Sequence, residues 1–80
     1  MNDGNVYFTK DLYEASLLIA CKIKLLKLVK ENNYYLFAFE NKAKAEELSA
    51  KFWLREIDVD AKAYAEAIRS LKDRIFARRE

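Results

Sequence analysis

The chain has 80 residues, 15 basic against 13 acidic, a formal net charge of +2, one Cys, one Gly, and neither His nor Pro. That length holds one domain and one small core, burying roughly 60 to 65% of the surface the unfolded chain exposes, and so small a charge does not by itself imply a nucleic-acid partner. Without His there is no Ser-His-Asp or Cys-His mechanism and no imidazole zinc site within one chain, a lone Cys cannot build a thiolate cluster, and a lone Gly removes the glycine-rich phosphate loops.

The opening MNDGNVYF lacks the basic start and apolar centre of a signal peptide, and no later run approaches the roughly 20 apolar residues of a membrane span. A soluble, cytoplasmic chain is therefore expected, with Cys21 as a small core hydrophobe in a reducing interior. Val6, Tyr7 and Phe8 are β-formers that run straight into Thr9-Lys10-Asp11, the pattern of a short strand meeting a helix cap. Either Thr9 is the cap, or Asp11 is, with Glu14 three residues on completing a capping box. Leu12, Ala15, Leu18 and Ile19 then lie along one helical face.

Residues 21–30 admit two readings. The helical wheel can continue through Ile23, Leu26 and Lys30, but Cys21-Lys22-Ile23-Lys24-Leu25 also alternates as a strand does. Glu31-Asn32-Asn33 is a polar break, and Tyr34 to Phe39 is an aromatic-rich strand, so a hairpin is favoured, with Asn supplying the positive φ of its turn. Leu25 and Leu26 break the alternation; a β-bulge there would restore an inner face of Ile23, Leu25 or Leu26, and Leu28 against an outer face of Lys22, Lys24 and Lys27. Across the turn Tyr35, Phe37 and Phe39 form the inner face, and Tyr34, Leu36 and Ala38 the outer one.

Asn41 is the expected cap of the next helix, with Ala45, Leu48 and Phe52 as its apolar stripe, thickened at the end by Trp53 and Leu54, and with Lys42–Glu46 and Glu47–Lys51 spaced for ion pairs. Glu56-Ile57-Asp58-Val59-Asp60 alternates strictly and reads as a short strand or an extended linker, Asp60 capping a last helix. There Tyr64, Ile68, Leu71 and Ile75 oppose Lys62, Glu66, Arg69 and Asp73. The expected fold is α+β: a small antiparallel sheet with helices packed mainly on one face, in the order β-α-β-β-α-(β)-α, as one domain over residues 1–80.

The pieces Tyr7-Phe8-Thr9-Lys10-Asp11-Leu12 with Ala15 and Leu18, Leu36-Phe37-Ala38-Phe39-Glu40, Ala45-Glu46-Glu47-Leu48 leading to Phe52 and Trp53, and Val59-Asp60 with Tyr64, Leu71-Lys72 and Ile75 span most of the chain. In this order they resemble a family of short uncharacterised proteins from bacteria, archaea and their viruses, domain of unknown function 5659. The resemblance implies the hairpin fold and carries no activity, cofactor or catalytic residue. Members often place Gly where the first helix gives way to the next strand; Cys21-Lys22 stands there in this chain, which keeps the long-helix reading open. Occurrence in viruses and mobile elements implies a neighbourhood of nucleic-acid processing.

No enzymatic role, cofactor, metal or small-molecule substrate is expected. Glu56, Asp58 and Asp60 are oxygen donors suited to Mg²⁺ or Ca²⁺, but a solvated edge and a helix cap account for them. The first functional expectation is a binding module that associates with itself or another protein, because apolar residues make up 52% of the chain and Trp53, Leu54, Leu36, Phe76 and Tyr13 exceed what one small core holds comfortably. Trp53 is its central residue. The alternative is a nucleic-acid-binding accessory protein that uses Lys22, Lys24, Lys27, Tyr34 and also Tyr7 on the outer sheet face, where lysines would meet phosphates and tyrosines would stack on bases. Arg69, Arg74, Arg78 and Arg79 form a second basic region, which a helix C-terminus also favours.

Overall fold

The computed structural model describes residues 3–77. A 3-10 turn (Asp3–Asn5) leads into β1 (Val6–Thr9), α1 (Leu12–Ala20), β2 (Leu25–Lys30), β3 (Tyr35–Glu40), α2 (Lys42–Trp53) and α3 (Ala61–Ala77). The strands form one antiparallel sheet in the order β1-β3-β2. The fold is α+β as expected, and residues 21–30 form the end of α1 and the first strand of a hairpin.

The helix stops through a Schellman turn. Lys22 takes a left-handed φ of 72°; its N–H donates to the Ile19 carbonyl, and the Ile23 N–H reaches back to the Leu18 carbonyl, both at 2.9 Å. Leu18 and Ile23 lie in the same core cluster, the apolar contact that accompanies this motif. Because residues 21–24 serve the turn, the strand begins only at Leu25, later than the alternation suggested, and Lys22 does not lie on it. The end of α2 repeats the device. Arg55 has φ 62°, its N–H donates to Phe52, and the Glu56 N–H donates to Lys51. Neither position is Gly, so each carries the cost of an L-residue in the left-handed region, roughly 1–2 kcal/mol.

The bulge falls where the sequence places it. Leu25 pairs with Phe39 and Lys27 with Ala38, leaving Leu26 without a partner in the register. That extra residue brings Leu25 and Leu28, three apart, onto the inner face opposite Phe39 and Phe37. The hairpin loop spans residues 31–34 and is closed by the Glu31 N–H on the Tyr34 carbonyl at 2.8 Å. Neither Asn32 nor Asn33 has positive φ; a loop this long turns without the mirror-image conformation that a two-residue turn requires, which corrects the role expected of Asn.

Phe37 and Phe39 meet Ala15 and Leu18 of α1, Ala45 and Leu48 of α2 and Leu71 of α3 in one core. All of Glu14 to Leu18 is buried, because α1 lies against α2 on one side and α3 on another. Asp11, Asn41 and Asp60 cap the three helices, each side chain accepting from first-turn N–H groups. Among the described residues Glu47 pairs with Lys44 at 3.8 Å and Lys51 at 3.6 Å, whereas the expected Lys42–Glu46 pair does not form. The segment from Glu56 to Asp60 is the extended linker and not the strand: Ile57 packs on the core, and no strand pairs with it among the described residues.

Candidate functional site

Directly opposed residues of an antiparallel pair point to the same side, so the register defines the sheet face away from the core. Phe8, Ala38 and Lys27 form its central row, flanked by Val6 with Glu40 and by Leu36 with Val29. Lys10 follows Phe8 on this face by alternation, and Lys24 lies between the inward residues Ile23 and Leu25. The central Ala38 is fully covered, while Phe8 beside it is 44% exposed. Tyr34, at the hairpin end, is 42% exposed and carries the Lys10 ammonium 4.7 Å from its ring centroid, a cation–π contact. The core that the helices build lies against the other side. This face is therefore apolar and aromatic at its centre with Lys10, Lys24 and Lys27 around it, all exposed and without an ion-pair partner among the described residues.

Of the residues expected at a basic, aromatic surface, Lys27 and Tyr34 share this face, Lys24 borders it, its carbonyl accepting the Glu40 N–H at 3.1 Å, and Lys22 sits apart in the turn that ends α1. Tyr7 does not belong. It pairs with Phe39 on the inner face, because a strand's odd and even residues face opposite ways and Val6, Phe8 and Lys10 take the outer side. Phe8 and Lys10 are the members that the sequence reading missed; the same alternation marks them once β1 is known to pair with β3.

Four residues were expected at a protein interface. Leu36 is half-buried on the helix-free face. Trp53 and Leu54, 60% and 66% exposed, stand at the end of α2, where Trp53 meets Phe52 edge-to-face at 5.0 Å. Phe76 is on the outer side of α3, bordering a shallow depression with Ile68, Arg69 and Lys72. The four thus occupy three elements. Arg69 and Arg74 are exposed on α3, and Arg78 and Arg79 lie outside the described residues. Glu56, Asp58 and Asp60 are not gathered: no three Asp, Glu, Cys or His side chains come together among the described residues, and Asp60 instead accepts the Ala63 N–H at 2.8 Å.

A second polar cluster lies inside the fold. Glu14, 4% exposed, accepts from the Tyr7 hydroxyl at 2.5 Å, the Thr9 hydroxyl at 2.7 Å and the Ser49 hydroxyl at 2.5 Å. These donors come from β1 and α2, so the carboxyl ties three elements together. Asp11 receives the Tyr13 and Glu14 N–H groups, both at 2.8 Å, but its own N–H goes to the Thr9 hydroxyl oxygen at 3.1 Å. The capping box is therefore half made: Asp11 is the cap, and Glu14 turns inward. Burial, then the hydrogen bond to Glu14, raises the Tyr7 phenol above its ordinary pKa. Burial likewise raises the half-buried Cys21 thiol against a small opposing effect of Lys44, and it raises Tyr64, with Asp11 adding to the shift. With every buried side-chain polar atom of the described residues satisfied, the cluster is a structural tie.

A family model described as Domain of unknown function (DUF5659) matches residues 4–77. Neither curated proteins nor solved structures yield a match. Among the described residues no helix is long and apolar enough to cross a membrane.

Proposed function

We propose that this chain, which belongs to the DUF5659 family, is a non-enzymatic binding domain that holds single-stranded nucleic acid on the helix-free face of its sheet. One observation carries the reading: Phe8 and Tyr34 are exposed on that face among Lys10, Lys24 and Lys27. Aromatic rings accept any base by stacking, and lysines outside ion pairs neutralise the phosphates between them. The same lysines disfavour stacking this face on a second copy of itself, since like charges would then meet across the interface. A non-enzymatic role agrees with the absence of His and with the single Cys and Gly.

Fluorescence anisotropy of labelled single-stranded DNA, single-stranded RNA and duplex DNA, at low and near-physiological salt, tests it. Single strands bind preferentially, affinity falls as salt rises, and Phe8→Ala weakens binding about fivefold or more, the loss of one stacked base. Absence of binding at low salt, or duplex bound as well as single strand by both wild type and F8A, would refute it.

Trp53, with the exposed Leu54 beside it, supports a second reading, self-association through the end of α2, because Trp is favoured at interface centres. As the chain's one Trp, Trp53 reports directly. Its emission shifts to the blue and the mass doubles as concentration rises, and the change in mass is lost in Trp53→Ala. A monomeric mass with unshifted emission at millimolar concentration would rule this out.

A further inference from the structure

Lys27 and Arg74 belong to regions of the sequence that look unrelated, yet the fold brings them to one groove. It has a volume of about 450 Å³ and is lined by Lys27 and Leu28 of β2 and by Arg74 and Ala77 of α3. β2 is an edge strand, and the last turns of α3 lie beside it. Among the described residues neither cation has an ion-pair partner and no acidic side chain lines the groove. Two positive groups from separate elements therefore face one space over an apolar floor. An anion seated there meets both charges: Arg presents a planar fork matched to tetrahedral oxyanions, and Lys adds a point charge.

We infer that this groove is a phosphate clamp, in which Lys27 and Arg74 grip a backbone phosphate of a strand lying on the helix-free face. The inference rests on the proposed function and adds a path to it. Lys27 belongs to the central row of that face, opposite Ala38, and also lines the groove, so a strand leaving the Phe8–Ala38–Lys27 row passes over the β2 edge and meets Arg74. Phosphate is the chemistry recognised, whether it is carried by a polymer or free in solution, and the two sources are separable by titration.

The test uses the full chain with two probes, inorganic phosphate and a short single-stranded oligonucleotide, followed by amide chemical shifts and by anisotropy. Inorganic phosphate is expected to shift the amides of Lys27, Leu28, Arg74 and Ala77 along one saturable curve, which Arg74→Gln abolishes. For the oligonucleotide, Lys27→Gln and Arg74→Gln each weaken binding about tenfold, the loss of one charge-assisted hydrogen bond, and the double variant loses less than the product because both groups hold the same phosphate. Both residues are exposed, and unchanged melting temperatures confirm that the variants fold. If the oligonucleotide binds with unaltered affinity in K27Q and R74Q, the clamp is overturned and the sheet-face reading stands. If the oligonucleotide does not bind but phosphate shifts the groove amides, the clamp stands and the sheet-face reading falls. If neither probe moves those amides, the clamp is overturned; strictly multiplicative losses would replace it with two independent contacts.

Discussion

Replacing Glu14 with Leu removes the acceptor of three hydroxyl groups without opening a large cavity. Thr9 and Ser49 are 8% and 4% exposed, so their hydroxyls cannot turn to water, and each donor left unmade costs about 1–3 kcal/mol. Tyr7 is only half-buried and recovers part of its loss from solvent. The expected destabilisation is therefore about 2–6 kcal/mol, against a total stability on the order of 4–12 kcal/mol for a chain of this length. The sharper test is Ser49→Ala in two backgrounds. In the wild type it deletes a hydrogen bond to a carboxyl group and costs about 1–3 kcal/mol. In Glu14→Leu it removes a stranded hydroxyl and restores about 1 kcal/mol or more, so the sign of the effect reverses. Urea unfolding followed by far-ultraviolet circular dichroism at pH 7 resolves both, because an m-value of about 1 kcal/mol/M turns such changes into midpoint shifts of about 1 M or more. Should S49A lower the midpoint equally in both backgrounds, stranded hydroxyls are not what makes Glu14 necessary.

The left-handed residues at the two helix ends make a prediction of opposite sign. Lys22→Gly and Arg55→Gly remove a Cβ penalty at φ 72° and 62° and each raise stability by about 0.5–1 kcal/mol, net of the extra entropy that Gly loses on folding; a lower urea midpoint in both would contradict the Schellman assignment. Alkaline pH probes Tyr7. Its folded pKa lies above the ordinary value of 10.0, so the unfolded chain releases the phenolic proton first, and the contribution is complete below pH 10.0 and fades as pH rises through the folded value. The wild-type urea midpoint between pH 9 and 11 therefore falls more steeply than that of Tyr7→Phe, and parallel curves would show that Tyr7 is not the group responsible.

Much of the backbone was legible in the sequence because local chemistry decided it. The bulge follows from two adjacent leucines in an alternating run, Asn41 and Asp60 from cap chemistry, and from the α3 stripe Leu71 and Ile75 join the core, while Ile68 borders the depression beside Phe76. Legibility failed where a distant partner outbid a near one. Glu14 sits at capping-box distance from Asp11, but Ser49, 35 residues away, is invisible to any local pattern, and so is the pairing of β1 with β3 that turns Tyr7 inward. Alternation likewise divides Glu56 to Asp60 correctly into sides and says nothing of whether a strand is there to pair with.

The same limit explains why the net charge of +2 was uninformative. A sum over the chain discards position, and the fold sorts charge by surface. Glu46, Glu47, Glu66 and Asp73 are exposed on α2 and α3, while Lys10, Lys24 and Lys27 collect around the helix-free face, where Glu40 points the same way by register and Glu31 stands opposite Tyr34 at the hairpin end. Lys27 and Arg74 then line one groove at the edge of the sheet. A polyanion responds to the local field over about a Debye length, roughly 8–10 Å at moderate salt, and not to the total. Between a near-neutral chain and a local gathering of lysines lies only the topology β1-β3-β2 with its helices on one side, which composition does not contain.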